Sequence, residues 1–426
     1  MKTILRNARI LKMTDRNIIR GDIVIEDNHI KYIGSDSKQF APFDIDRDCK
    51  GNIIMPGFKN AHTHSAMTFL RSKADDQVLQ DWLFKTVLPR EELLTEHDVY
   101  ALNKIAFLEY LTSGITACFD QYYFPLFTKK AAEEMGMRLV ILGTYNAQYN
   151  KEGLIKLYHE INDNDGLVKY CFGIHAEYTC PDNELATMVE IVNEEKAPFF
   201  THISETAKEV EECIEKRGKT PVKFLIDSGA YNYGGGGYHC CYFNDEDIKL
   251  WKEKNLIVVT CPGSNTKLAS GIAPITKYLE NGIDVAIGTD GPASNNCLDM
   301  FKEMTLLFSL QKVSLKDPTV LDAFSILKMA TVNGAKAMGL NDADVLEVGK
   351  KADLIEIDLS RPNMQPLNDI ISNIVYSGSK DNIKMTMIDG KILYEDGKFN
   401  IQESIQDIYN ECQKITDRID NQIKQA

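Results

Sequence analysis

The segment "PGFKNAHTHSAMTFL" sets His62 and His64 on either side of one threonine. In an extended chain, residues i and i+2 face the same way about 6 to 7 Å apart, so the two imidazoles form a clamp suited to a metal. Alone, the pair is weak evidence, since two polar residues leaving a strand are the commoner case. Further imidazoles and carboxylates end or adjoin other apolar runs: His175, His202 with Glu205 three residues on, His239, and Asp290 within "GTDGPASNN". Imidazole and carboxylate bind divalent cations, and a carboxylate beside them can carry protons. Each has a plain alternative: a hydrogen-bonded packing histidine, a helix first-turn acid at Glu205, a turn residue before Gly291 at Asp290. Their coincidence at five of eight run ends argues for a site.

To converge, these residues need strands that end together. Eight β-rich runs alternate with helix-patterned segments from about Ile53 to about Gly339: "IIMPGFKNAHTH", "ITACFDQYY", "RLVILGTY", "KYCFGIHAEY", "PFFTHISE", "YHCCYF", "LIVVTCPGSN" and "DVAIGTDG". Between the first two, "TEHDVYALNKIAFLEYLTSG" opens on an N-cap threonine and closes on a C-cap glycine. Eightfold alternation predicts an α/β fold, a (β/α)₈ TIM barrel with its active groups at the C-terminal strand ends.

Both termini instead carry alternating strands with turn residues between them, and Asp389-Gly390 and Asp396-Gly397 read as hairpin turns. "NIVYSGSK" reads as one of these strands. The expected organisation is a small composite β-sandwich domain from residues 1–54 and 345–400, the barrel over 55–344, and a C-terminal helix over 401–426 packed on the barrel or on a partner. "GGGG" at Gly234 to Gly237 does not link a strand to a helix, so it reads as a flexible turn and not as a phosphate cradle.

Composition narrows the partners. The 426 residues are 44% apolar and 26% charged, with a net charge of -14, a sequence pI near 5.2 and a mean hydropathy of -0.25. That is a globular balance, and its acidity argues against nucleic acid. Nowhere do about 18 apolar residues run together, so no membrane span is expected. The N-terminus alternates where a signal peptide needs an unbroken apolar stretch. Ten cysteines without a C-x-x-C pair fit reduced thiols in the cytoplasm. A neutral or cationic small molecule is the expected substrate.

From Met55 through Gly339 the chain resembles the amidohydrolase superfamily, in the branch that holds 5'-methylthioadenosine/S-adenosylhomocysteine deaminases. The resemblance rests on "PGFKNAHTHS", "HISET", the "HC" at His239 and "GTDG" in combination. It implies a mononuclear site with His62, His64, His202 and Asp290 as ligands, holding one Zn²⁺ per subunit with Fe²⁺ as the alternative. Dinuclear relatives bridge their metals with a modified lysine on a middle strand, whereas the third and fourth runs offer only Lys169, at the wrong end of its strand.

The resemblance further implies catalytic roles for Glu205 as proton shuttle, His239 as hydrogen-bond partner of the attacking oxygen, and Asp290 as a proton acceptor. Zinc can lower the pKa of bound water to about 7. Trp82 would form an aromatic wall, Glu91 would bind ribose hydroxyls, and His175 would contact the nucleoside near purine and sugar, beside Glu205 and Asp290. Packing remains the alternative for Trp82, and solvation for Glu91.

The implied reaction is hydrolytic deamination of adenosine, 5'-deoxyadenosine or 5'-methylthioadenosine. S-adenosylhomocysteine is disfavoured, because "NAQYNKEGLIKLY" and "NDNDGLVKY" lack the arginines that would grip an amino-acid tail, although Lys151 is near. Guanine, pterin or triazine chemistry on the same site is the alternative reaction, and a scaffold without catalysis the rival class. "HAE" at His175 to Glu177 mimics a cytidine-deaminase motif but lacks the P-C-x-x-C that fold requires. A homo-oligomer is expected from the relatives.

Overall fold

The computed structural model describes residues 1–73, 75–145, 149–163 and 165–425. Eight parallel strands form one sheet in chain order: β1 Phe58–Thr63, β2 Ile115–Asp120, β3 Arg138–Thr144, β4 Val168–Ala176, β5 Phe199–Ile203, β6 Gly235–His239, β7 Ile257–Thr260 and β8 Val285–Ile287. These strands are buried on both faces, which is why they read as nearly continuous apolar runs. Inside the barrel lie Ala61, Phe119, Leu142, Phe200, Tyr238 and Val259, and a larger apolar shell separates strands from helices.

The seam between β8 and β1 is closed just past the strands by Asp290 N–H to His62 O at 3.0 Å. Asn60 reinforces it, accepting from Thr289 N–H and donating to Thr289 Oγ1, each at 2.8 Å. Gly288 permits this approach, because a Cβ there would lie 2.8 Å from the backbone N and O of His62.

The helix Glu96–Thr112 forms where its caps predict: Thr95 and Asp98 make a reciprocal capping box, and Gly114 follows at φ 74°. The C-terminal helix Ile405–Gln425 buries Ile408, Cys412, Ile415 and Ile419. It packs on that helix, with Arg418 pairing to Asp98 at 2.5 Å, so of the two expected resting places it takes the barrel.

The terminal segments build a nine-stranded sheet. Its long strand Lys2–Leu11 pairs with Ile18–Glu26 along one edge, and on the other with Ile45–Asp48 and then Ile53–Pro56. The sheet thereby folds over Leu5, Ile10, Ile23, Ile54, Leu354 and Met385. Both hairpins turn at Asp-Gly pairs with positive φ, 51° and 75° at Asp389-Gly390 and 48° and 82° at Asp396-Gly397. No helix among the described residues is long and apolar enough to cross a membrane.

Three expectations change. The first run divides at Gly57, with Ile53–Pro56 in the terminal sheet and Phe58–Thr63 opening the barrel. "NIVYSGSK" is helical over Asn373–Ser377, because Ile374 and Val375 turn one face inward. The glycines Gly235 to Gly237 are strand, not a flexible turn. A Cβ on Gly235 would meet Phe199 O at 1.9 Å, and one on Gly236 would meet Ile257 at 2.6 Å, so only glycine lets β6 lie between its neighbours.

Candidate active site

His62 ends β1, His202 lies in β5, and His64 and Asp290 follow β1 and β8, so four donors meet at one end of the barrel. One ligand atom from each lies within 4.8 Å of all the others. His64 Nδ1 lies 2.7 Å from Gln121 O and His202 Nδ1 2.6 Å from His175 O. A carbonyl can only accept, so each Nδ1 carries a proton and each Nε2 faces the centre, free to offer a lone pair in the neutral ring. His62 stacks on Tyr238 at 3.7 Å, and neither of its ring nitrogens has a hydrogen-bond partner. Asp290 uses Oδ2 to accept from Ser264 Oγ at 2.6 Å and Ser294 Oγ at 2.7 Å. Its Oδ1, unpartnered, lies 3.4 Å from His62 Nε2 and 3.2 Å from His64 Nε2.

Buried donors aimed at one point without partners are the signature of a cation site. The charges agree. Burial pushes His62 down to about 3, and burial with the neighbouring imidazoles pushes His202 well down. At His64 the Asp290 carboxylate outweighs burial and raises the ring to about 9. At Asp290 burial is likewise outweighed, by His62 and His64, and the carboxyl sits well below its ordinary range. Three imidazoles with one carboxylate suit a divalent metal ion.

Glu205 follows β5 on a tight turn where Ser204 has φ 51°. The turn is pinned from below by Glu209, whose carboxylate accepts Ser204 N–H at 2.6 Å and Glu205 N–H at 2.8 Å. Glu205 Oε1 accepts from Ser270 Oγ at 2.7 Å, while Oε2 lies 3.9 Å from His239 Nε2. His239 Nδ1 is held by Asn265 Oδ1 at 2.7 Å. Burial opposes a charged His239 ring, but Glu205 and Asp290 raise its pKa.

On the opposite rim, Glu91 ends the short helix Leu88–Glu91, buried, with Tyr122 Oη donating to its Oε1 at 2.7 Å. Burial raises this carboxyl against the pull of Tyr122 and His64. Trp82 opens the preceding helical segment Trp82–Val87, buried, with no partner for its indole N–H. His175 is half-buried near the end of β4, its Nδ1 2.7 Å from Thr179 Oγ1, and burial lowers it to about 4.

Glu177 of "HAE" instead pairs with Arg217 Nε at 3.0 Å. Lys169 is the second residue of β4, far from the metal donors at the other end. Lys151 is engaged by Glu194 at 2.6 Å and Glu190 at 3.3 Å. Of the arginine-free stretches, Asn146, Ala147, Gln148 and Asn164 lie outside the described residues.

Sequence reasoning overlooked Ser264, Asn265, Ser270, Ser294, Gln121 and Glu209. "CPGSN", directly after β7, and "PASNN", in the loop after β8, were a usable signal for three of them. Thr206-x-x-Glu209 matches a capping box, whose glutamate ordinarily returns to the N-cap N–H. Here it reaches one and two residues further back.

The fold and donor set define an α/β barrel with a candidate metal centre, and comparison with known proteins places it. The model of the amidohydrolase family matches residues 53–393. The chain belongs to that family. It is 39% identical over 435 residues to a 5'-deoxyadenosine deaminase of Methanosarcina mazei, covering 98% of both chains. It is 38% identical over 424 residues to a 5-methylthioadenosine/S-adenosylhomocysteine deaminase of Caldanaerobacter subterraneus subsp. tengcongensis, covering 97% of this chain and 98% of the other. Among solved structures, an adenosine deaminase from Xanthomonas campestris with bound zinc superposes with a TM-score of 0.91 at 28% identity, covering 98% of each chain.

Proposed function

We propose that the protein hydrolyses the 6-amino group of an adenosine-type nucleoside, releasing the inosine counterpart and ammonia. The observation that carries this is the Glu205–His239 pair beside four converging candidate metal donors. The names of the relatives supply the nucleoside class. A divalent ion held by His62, His64, His202 and Asp290, zinc first and iron(II) as the alternative, supplies Lewis acidity that makes water a nucleophile near neutral pH.

The chain's own residues do the rest. Glu205 takes a proton from the attacking water and delivers it to purine N1, which gains electron density as C6 becomes tetrahedral. His239 Nε2 hydrogen-bonds the attacking oxygen, with its ring fixed by Asn265. Asp290 accepts the second proton of that oxygen, and the proton leaves with the amine. Glu91, steadied by Tyr122, accepts from the ribose hydroxyls. Trp82 walls the pocket, and His175 contacts the nucleoside between base and sugar. With Lys151 occupied by two glutamates, the pocket favours an uncharged 5' group: adenosine, 5'-deoxyadenosine or 5'-methylthioadenosine.

The test is ammonia release from a panel of 5'-modified adenosines, with S-adenosylhomocysteine, guanine and a chlorotriazine alongside. Glu205→Gln should lose about 10² to 10⁴ in kcat while elemental analysis shows the metal retained. Undiminished turnover in that variant, or turnover of guanine or triazine alone, overturns the reading. Cytoplasmic location and self-association belong to the same proposal, the latter read by light scattering.

A further inference from the structure

The chemistry above does not use Glu303, yet this carboxylate is wholly buried on helix Met300–Leu315. Its Oε2 accepts the Gly263 backbone N–H and its Oε1 the Asn295 side-chain amide, both at 2.7 Å. The same amide also donates to Thr289 O at 2.7 Å. Both ends of this chain of bonds lead into the site. Gly263 directly precedes Ser264, which holds Asp290 Oδ2, and Asn265, which holds His239 Nδ1. Thr289 directly precedes Asp290, and Ser294, the second hydroxyl on Asp290, directly precedes Asn295.

Glycine at 263 makes the link achievable, since a Cβ there would stand 2.4 Å from Glu303 Oε1 and 2.6 Å from Asn295 Nδ2. Burial pushes this carboxyl up to about 8, and an apolar side chain would fill the same space without any polar group to satisfy. Lys302 does not account for it, because its Nζ reaches Asn295 Oδ1, at 3.4 Å.

We infer that Glu303 is a positioning residue: it locks the short helix Pro262–Lys267 that follows β7 to the loop after β8 and so sets the orientations of Asp290 and His239 together. The inference rests on the metal-site reading above and assigns Glu303 no contact with substrate.

The test uses Glu303→Gln, which keeps shape but turns an amide NH₂ toward one of two N–H donors, so one link breaks. Metal-stripped protein is titrated with Co²⁺, whose visible absorption reports ligand geometry without any substrate. Co²⁺ affinity should fall about tenfold or more, the visible band should shift, and kcat should fall with KM held within about twofold. Asn295→Ala, which spares the Gly263 link, should move the same quantities. A folded Glu303→Gln protein with wild-type Co²⁺ affinity, band and kcat overturns the inference, whatever its melting temperature. Should that variant not fold, a wild-type band and affinity in Asn295→Ala overturn it instead. Because the Co²⁺ titration needs no nucleoside, an inactive wild type would sink the proposed function and leave this result readable.

Discussion

Asp290 divides its work between its two oxygens: Oδ2 is held by Ser264 and Ser294, which leaves Oδ1 facing the imidazoles. Partners of a metal ligand orient it, and their loss typically costs about 10- to 100-fold in metal affinity. Ser264→Ala should sit near the lower figure, since Ser294 still holds the same oxygen, and competition with a chelator will measure it. Unchanged retention of metal would show that Ser294 suffices. The convergence of His62, His64, His202 and Asp290 was legible from their motifs at strand ends taken together, although each alone could have been a packing or turn residue. Ser264 and Asn265 were not, because serine and asparagine are ordinary turn residues whose partners are set by distant chain.

At the scale of elements, the site depends on where strands stop. The three-residue strand β8 hands directly to Gly288, and the barrel seam passes between that glycine and His62. Gly288→Ala inserts a methyl where no space exists, so strand and His62 must shift. Overpacking of this kind costs about 1 to 3 kcal/mol, and the displacement of His62 should also lower bound metal. Urea unfolding with metal analysis checks both; a variant with native stability and full metal would mean that the seam is soft. Strand–helix alternation was readable from periodicity. The extent of β6 was not: the run "YHCCYF" marked its end, but Gly235, Gly236 and Gly237 have no side chains to alternate and only the crowding of β5 and β7 reveals why they are there.

Across the whole molecule, the terminal sheet is fastened to the base of the barrel by charge. Arg138, opening β3, grips Asp353 of the sheet domain with two bonds of 2.5 and 2.9 Å and reaches Asp389 at 3.2 Å. Burial would raise the Asp353 carboxyl, but Arg138 outweighs it and holds it below its ordinary 3.8. The folded state therefore binds this proton less readily than the unfolded chain. Its stabilisation is complete above the ordinary value and is lost as pH falls through the lowered one. Asp353→Asn should flatten the acid end of the stability curve and cost up to about 3 to 5 kcal/mol at neutral pH, since it strands much of a buried cation. Urea midpoints from pH 7 to pH 3 decide this, and parallel curves for variant and wild type would remove Asp353 from the account.

Local order fixed by near neighbours could be read from the chain alone: barrel periodicity, the Thr95 cap, the Asp-Gly hairpins and the metal-binding residue types. The pairing of Ser264 with Asp290, of Asn265 with His239, and the tie that Glu303 makes between helix Pro262–Lys267 and the loop after β8 required the folded molecule. A hydrogen bond is a matter of ångströms between atoms, and residues 26 or 40 positions apart acquire those distances only when the barrel closes.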